Sequence, residues 1–187
     1  MLAVLLRRFQ HLESTRSALQ QRLAQSSVEQ LRFRVAPQTW SIGEIVHHLI
    51  LAESLSVAYL GKKLDQVTTL RKASWSAGLR STLMTWALRA PLKFKAPSPL
   101  ILPTPEVALS DLQVQWETQR HKLHELLERV TPEMLQLSLY RHPIGGLLTV
   151  QQMLIFMQAH FEHHVRQIEK IIRHAARPQS HAERVAS

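Results

Sequence analysis

The stretch "TVQQMLIFMQAHFEHHVRQIEKII", Thr149 to Ile172, decides the fold class. Val150, Met153, Met157, Ile168 and Ile171 recur at helical spacing, and His160 and His164 stand in line with them. Thr149 and Gln152 have the T-x-x-Q form of a capping box, so the spacing predicts a helix that runs from there to about His174. His160 and His164 are four residues apart, which makes them neighbours on one face, able to converge on a single point. His163 is turned by about 100° from His164, toward Arg166 and Lys170, and is expected to be exposed.

Upstream, the same period recurs. Leu2, Leu5, Phe9, Leu12, Leu19 and Leu23 mark an amphipathic helix from the N-terminus to about Ser26, followed by a loop that includes "APQTW". Ser41 and Glu44 form an S-x-x-E capping box, and a second long helix is expected from there to about Asp65. Its stripe of Ile45, His48, Ala52, Leu55 and Tyr59 turns His48 inward and leaves His47 on a mixed face with Glu44, Leu51 and Ser54. "PLKFKAPSPLILPTP" carries five prolines and must be an extended connection, long enough to cross along a bundle. "TPEV", Thr104 to Val107, reads as a cap, a proline at the first helical position and an acid. A third long helix is therefore expected to start there, burying Leu109, Leu112, Trp116, Leu123, Leu126, Leu127 and Val130. "TPEML" reads as a helical turn and "RHPIGG" as a turn or loop.

Four long helices without credible strand alternation predict an all-α protein, a four-helix bundle with a long connection between its second and third helices. With 187 residues, 45% of them hydrophobic, the chain can bury one core, so residues 1–175 are expected to form a single domain and 176–187 a frayed tail. The 23 Lys and Arg against 14 Asp and Glu give a charge of +9, which favours solubility and adventitious attraction to anionic surfaces without specifying a ligand. Cysteine is absent, which excludes disulfides, thiolate ligands and a cysteine nucleophile. The apolar run in "MLAVLLRRF" is too short for a signal peptide or a membrane span, and the expected location is cytoplasmic.

Two inward histidines on the last helix and His48 on the second would supply the three imidazoles of a catalytic zinc-type site, leaving a position for water or substrate. Such residues can also hydrogen-bond to one another, to water or to carbonyls, and the pattern leaves both readings open. His11, His121 and His124 lie off the apolar stripes and are expected to be exposed; His142 sits in a loop before a proline, where it could line a pocket, though nothing nearby argues for that over exposure. Glu44, one turn before His48, is a candidate base, although capping with Ser41 is the simpler role; Glu53 and Glu162 read as surface or edge residues. Trp40 and Tyr59 read as core aromatics. Gln119 and Arg120 interrupt the third stripe, which fits either a polar cavity or an irregular surface-facing helix. Between Leu70 and Lys95, Arg71, Lys72, Arg80, Arg89, Lys93 and Lys95 stand with Trp75 and Trp86 and no acid. A lid with solvated charges is the simpler reading, and binding to an anionic membrane or nucleic acid is the rival.

"WSIGEIVHHLILAE", Trp40 to Glu53, resembles the W-S-x-x-E-x-x-x-H-L segment of the DinB-like superfamily of four-helix metalloenzymes. "HPIGGLLTVQQMLIFMQAHFEHHVRQIEKI" resembles the C-terminal segment of that family, with H-x-x-x-H followed by Q-I. The likeness covers nearly the whole chain in helix order. It implies a divalent metal ion, zinc, nickel or iron, on His48, His160 and His164, the trio that periodicity also selects. It further implies a small-molecule substrate: some relatives transfer low-molecular-weight thiols such as bacillithiol or mycothiol, and a hydrolase of the same fold is the alternative. By analogy with relatives the chain would be a homodimer, and nucleic acid is not an expected partner.

Overall fold

A computed structural model describes residues 1–67, 72, 99–104, 107–142 and 145–175. The basic 70–95 segment, apart from Lys72, and the tail 176–187 lie outside the described residues. Five α-helices are present among them: α1 (Ala3–Ala24), a short α2 (Val28–Arg32), α3 (Ile42–Leu64), α4 (Leu109–Glu128) and α5 (Val150–Ala175). Short 3-10 turns at Pro99–Ile101 and Glu133–Gln136 and a two-stranded hairpin complete the order. No described helix is long and apolar enough to cross a membrane.

Capping fixes where α3 and α5 begin. Ser41 Oγ accepts the Glu44 backbone N–H and the Glu44 carboxylate accepts the Ser41 N–H at 2.8 Å; Thr149 and Gln152 make the same reciprocal pair. A third capping box, Ser27 with Gln30, starts α2 inside what reads from sequence as a loop. The expected start of the third long helix at Thr104 is corrected: α4 begins at Leu109, after an extended Ala108 that makes no side-chain cap. The Thr104 N–H is directed to the His47 ring at 3.1 Å rather than into a helix. The expected loop "RHPIGG" is corrected in part: Arg141 and His142 belong to β1 (Tyr140–His142) and Gly146 to β2 (Gly146–Leu148), which pair antiparallel as a hairpin. Gly146 has φ 72°, a left-handed conformation open to glycine at little cost.

Residue pairings give the helix directions. Glu53 with Trp116, Gly61 with Leu126 and Asp65 with Arg129 make α3 and α4 parallel. Arg16 with Glu117 and Phe9 with His124 make α1 antiparallel to α4, and Thr15 with Gln158 and Arg22 with Glu169 make α1 parallel to α5. The order is therefore up, down, down, up, and two consecutive parallel helices require a connection that returns along the bundle. The long proline-bearing segment between α3 and α4 meets that need.

The core falls into two apolar clusters. One contains Leu12, Val57, Leu60, Leu123, Leu127 and Met153; the other contains Leu19, Ile45, Leu49, Trp116, Phe161 and Ile168. Between them, charged residues occupy core rungs on three helices: Arg16 between Leu12 and Leu19, Glu53 between Leu49 and Val57, and Arg120 between Trp116 and Leu123. Glu53 is thus not the surface residue that its charge suggests, since it is 6% exposed and Arg120 only 2%. Arg120 Nε lies 2.6 Å from Glu53 Oε1 and its Nη1 lies 3.2 Å from Glu13 Oε1, while Trp116 Nε1–H donates to Glu53 Oε2 at 3.1 Å. Leu55, placed on the expected inner stripe, is exposed, because the buried face of α3 runs through Glu53, Ser56 and Val57 instead.

Burial pushes the Glu53 carboxyl up and the Arg120 guanidinium pulls it back, with burial the larger influence. Arg120→Met keeps much of the bulk but strands the carboxylate, and is expected to cost about 3–5 kcal/mol in urea unfolding. A carboxyl whose folded pKa is raised stabilises at low pH and loses that contribution as pH rises through the folded value. The Arg120→Met deficit should therefore be smaller near about pH 5 than near about pH 8, and Glu53→Leu added to it should recover much of the loss.

Candidate metal centre

Helix periodicity brings His160 and His164 to one face of α5, and α3 presents His48 opposite them. His48 Nε2 lies 3.3 Å and His164 Nε2 3.2 Å from His160 Nε2, and one ring nitrogen from each of the three lies within 4.8 Å of the other two. Nitrogens bound at about 2.0–2.1 Å to a tetrahedral zinc ion are about 3.3–3.4 Å apart. The two short separations match that spacing.

The outer nitrogens fix the tautomers. His48 Nδ1 is 2.8 Å from the Ile101 carbonyl, which only accepts, so Nδ1 carries the proton and Nε2 presents a lone pair. His164 Nδ1–H likewise donates to Gln167 Oε1 at 3.0 Å, one turn further along α5. Neutral His160 has one N–H and can donate to one neighbour at most, so at least one of its two N···N contacts has no hydrogen between the nitrogens. Protonation as a remedy is opposed by the surroundings. Burial, then the neighbouring imidazoles, holds His160 well below its ordinary value; burial brings His164 down to about 3, and burial lowers His48 against the pull of the Ile101 carbonyl. One cation could satisfy all three lone pairs, and the donor set of neutral imidazoles with carbonyl and amide groups behind them suits a divalent ion.

Aromatic rings hold the imidazoles in place. Trp40, half-buried against the second cluster, packs on His48 with centroids 4.8 Å apart, and Phe156 stacks on His160 at 5.6 Å. Tyr59 is also half-buried, against the first cluster, so both aromatics pack on the core as expected. Glu44 is fully engaged: Oε2 accepts the Ser41 N–H and Oε1 accepts Arg34 Nη2–H at 2.7 Å. That occupancy favours the capping role over the candidate base. Glu162 is an edge residue beside His11 and Gln158.

The remaining histidines divide. His11 and His121 are exposed as expected, whereas His124 is half-buried with its ring against Phe9. His163 is half-buried beside His164 rather than exposed. His142, expected to be exposed, is 7% exposed: its Nδ1 accepts the Gly145 N–H at 2.9 Å and its ring packs on Phe156 at 4.3 Å. Burial brings it down to about 4. The hairpin that folds it inward leaves no periodic signal in so short a stretch. His47 is also buried and accepts the Thr104 N–H. Gln167 and the Ile101 carbonyl escaped the sequence reading of the site; the i, i+3 spacing from His164 would have pointed to Gln167, whereas a carbonyl has no side-chain signature.

A helical bundle with a convergent cluster of three imidazoles defines the class of protein. The sequence model of the DinB superfamily matches residues 11–168, and the chain belongs to that superfamily. No curated protein and no solved structure gives a match.

The depressed imidazoles also predict an acid response. An unfolded histidine titrates near 6.5 and His164 in the fold only at about 3, so the folded chain resists a proton that the unfolded chain takes up. Stability of the metal-free protein is expected to fall as pH drops from about 6.5 toward about 3. Urea midpoints measured with a chelator present should show this, with a shallower decline in His164→Gln.

Proposed function

We propose that the protein is a divalent-metal-dependent enzyme whose ion is held by His48, His160 and His164. The observation that carries this reading is the set of three convergent Nε2 atoms, of which two have their ring protons held on the far side by Ile101 and Gln167. When bound, such an ion supplies Lewis acidity that makes a nucleophile available near neutral pH. The chain itself fixes ring orientation through Trp40, Phe156, the Ile101 carbonyl and Gln167, and keeps the imidazoles neutral through burial.

Within this reading a low-molecular-weight thiol is the favoured nucleophile and the reaction an S-transfer to an electrophile. Activating water for hydrolysis commonly draws on a carboxylate base, and here the Glu44 carboxylate is bound to Ser41 and Arg34 while that of Glu53 is paired with Arg120. A thiol is the stronger acid and has less need of such a base.

Protein purified without an affinity tag is expected to carry about one equivalent of a divalent metal, and His160→Ala combined with His164→Ala to lose it, measured by elemental analysis. Equal metal content in the two would overturn the ligand assignment. Metal-dependent consumption of a thiol against monochlorobimane is the expected activity. Turnover of an ester or amide with no thiol reaction would favour the hydrolase.

A further inference from the structure

The end of the crossover, Pro99 to Thr104, meets α3 at two adjacent histidines. Its 3-10 turn at Pro99–Ile101 is closed by the Leu102 N–H donating to the Pro99 carbonyl at 3.1 Å; the Ile101 side chain is buried, and Leu100 and Leu102 are exposed. His48 Nδ1–H donates to the Ile101 carbonyl at 2.8 Å, and three residues further on the Thr104 N–H donates to His47 Nδ1 at 3.1 Å. His47 Nδ1 also lies 3.5 Å from the Thr104 carbonyl. The amide N–H can only donate, so Nδ1 holds a lone pair and the neutral ring carries its proton on Nε2. The two neighbouring imidazoles therefore adopt opposite tautomers, one gripping the segment as a donor and the other as an acceptor.

Their roles are not interchangeable. Side chains one residue apart on a helix point about 100° apart. His48 directs Nε2 at His160 and Nδ1 at Ile101, whereas His47 spends its accepting nitrogen on Thr104 and lies outside the group of three convergent nitrogens. His47 is nonetheless 8% exposed, in a position where an apolar side chain would cost less to bury. Held at Ile101 alone, the segment would be free to pivot about one hydrogen bond. The second bond, at Thr104, fixes its direction and with it the place of the Ile101 carbonyl over His48. That carbonyl decides which nitrogen of His48 is free for a metal, because the ring proton goes to the nitrogen that faces an acceptor.

We propose that His47 is a positioning residue for the metal centre: by anchoring Thr104 it holds the Ile101 carbonyl against His48 Nδ1, and so keeps the His48 Nε2 lone pair aimed at the ion. The proposal rests on the metal reading of the cluster.

The full chain stripped of metal, with its His47→Leu, His47→Asn and Thr104→Pro variants, tests it through two measurements. Long-range proton–nitrogen correlation spectra report the ring tautomers, and competition with a chelator reports zinc affinity. The unaltered chain should show His48 in the Nδ1–H form. His47→Leu should bring in the Nε2–H form and weaken zinc by about tenfold, the scale of losing a group behind a metal-bound histidine. His47→Asn, whose Oδ1 stands near the place of Nδ1, should restore both, which side-chain bulk alone would not do. Thr104→Pro removes the donor and leaves His47 in place; it should match His47→Leu, with the double variant no worse than either. Circular dichroism checks that each variant is folded. An unchanged His48 tautomer and zinc affinity in folded His47→Leu would overturn the proposal and leave the ligand assignment intact. Loss of zinc beyond about a hundredfold without rescue by His47→Asn would make His47 a ligand and overturn it too. If the unaltered chain takes up no zinc, the metal reading fails, and the tautomers of the metal-free chains still decide whether His47 sets His48.

Discussion

The bundle depends on matching charges inside an apolar interior. Glu53 on α3 and Arg120 on α4 sit at core rungs where either alone would be expensive, and their 2.6 Å approach makes the burial tolerable. Trp116 donates to the second carboxylate oxygen, and Glu13 extends the network to α1. Hydrophobic contact is insensitive to small slips of one helix along another, whereas an ion pair between two buried groups is not. The pair therefore favours one axial register of α3 against α4, and α3 carries His48.

The histidine cluster meets the same constraint by different means. Its three groups are neutral bases facing one another, so they cannot neutralise each other as Glu53 and Arg120 do. Burial keeps them unprotonated, and the Ile101 carbonyl and the Gln167 amide take the outer protons of two of them. What remains is three close ring nitrogens, at least two of them presenting lone pairs, a geometry poor in internal hydrogen bonds and suited to a cation. The crossover between α3 and α4 takes part in both features. Its length permits the parallel pairing, and its end, Pro99 to Thr104, lies over His47 and His48 and supplies the carbonyl that sets the His48 tautomer.

Much of this was legible in the primary structure where the signal was periodic. The stripe through Val150, Met153, Met157, His160, His164 and Ile168 located α5 and singled out two of the three histidines, and the boxes at Ser41 and Thr149 located helix starts. The charged rungs were legible in principle as well: Arg16, Glu53 and Arg120 continue the apolar period of their helices. Glu53 reads as a surface or edge residue, and Arg120 as either cavity lining or surface, because charge outweighs position when one helix is considered alone. His142 and the start of α4 were not legible. The first depends on β1 carrying the His142 ring against Phe156, and the second on the Thr104 N–H pairing with a ring on α3.

The sequence by itself determined the four long helical segments, where α3 and α5 begin, and which faces of those two helices carry imidazole, because these follow from contacts within a few residues along the chain. Tertiary structure alone decided that Glu53 and Arg120 share the interior, that His142 is enclosed, and that three Nε2 atoms meet, two of them with their ring protons held on the far side. Each of those outcomes is set by a partner dozens of residues away or by a backbone group without a side-chain signature, and burial assigns their protonation only once the helices have packed.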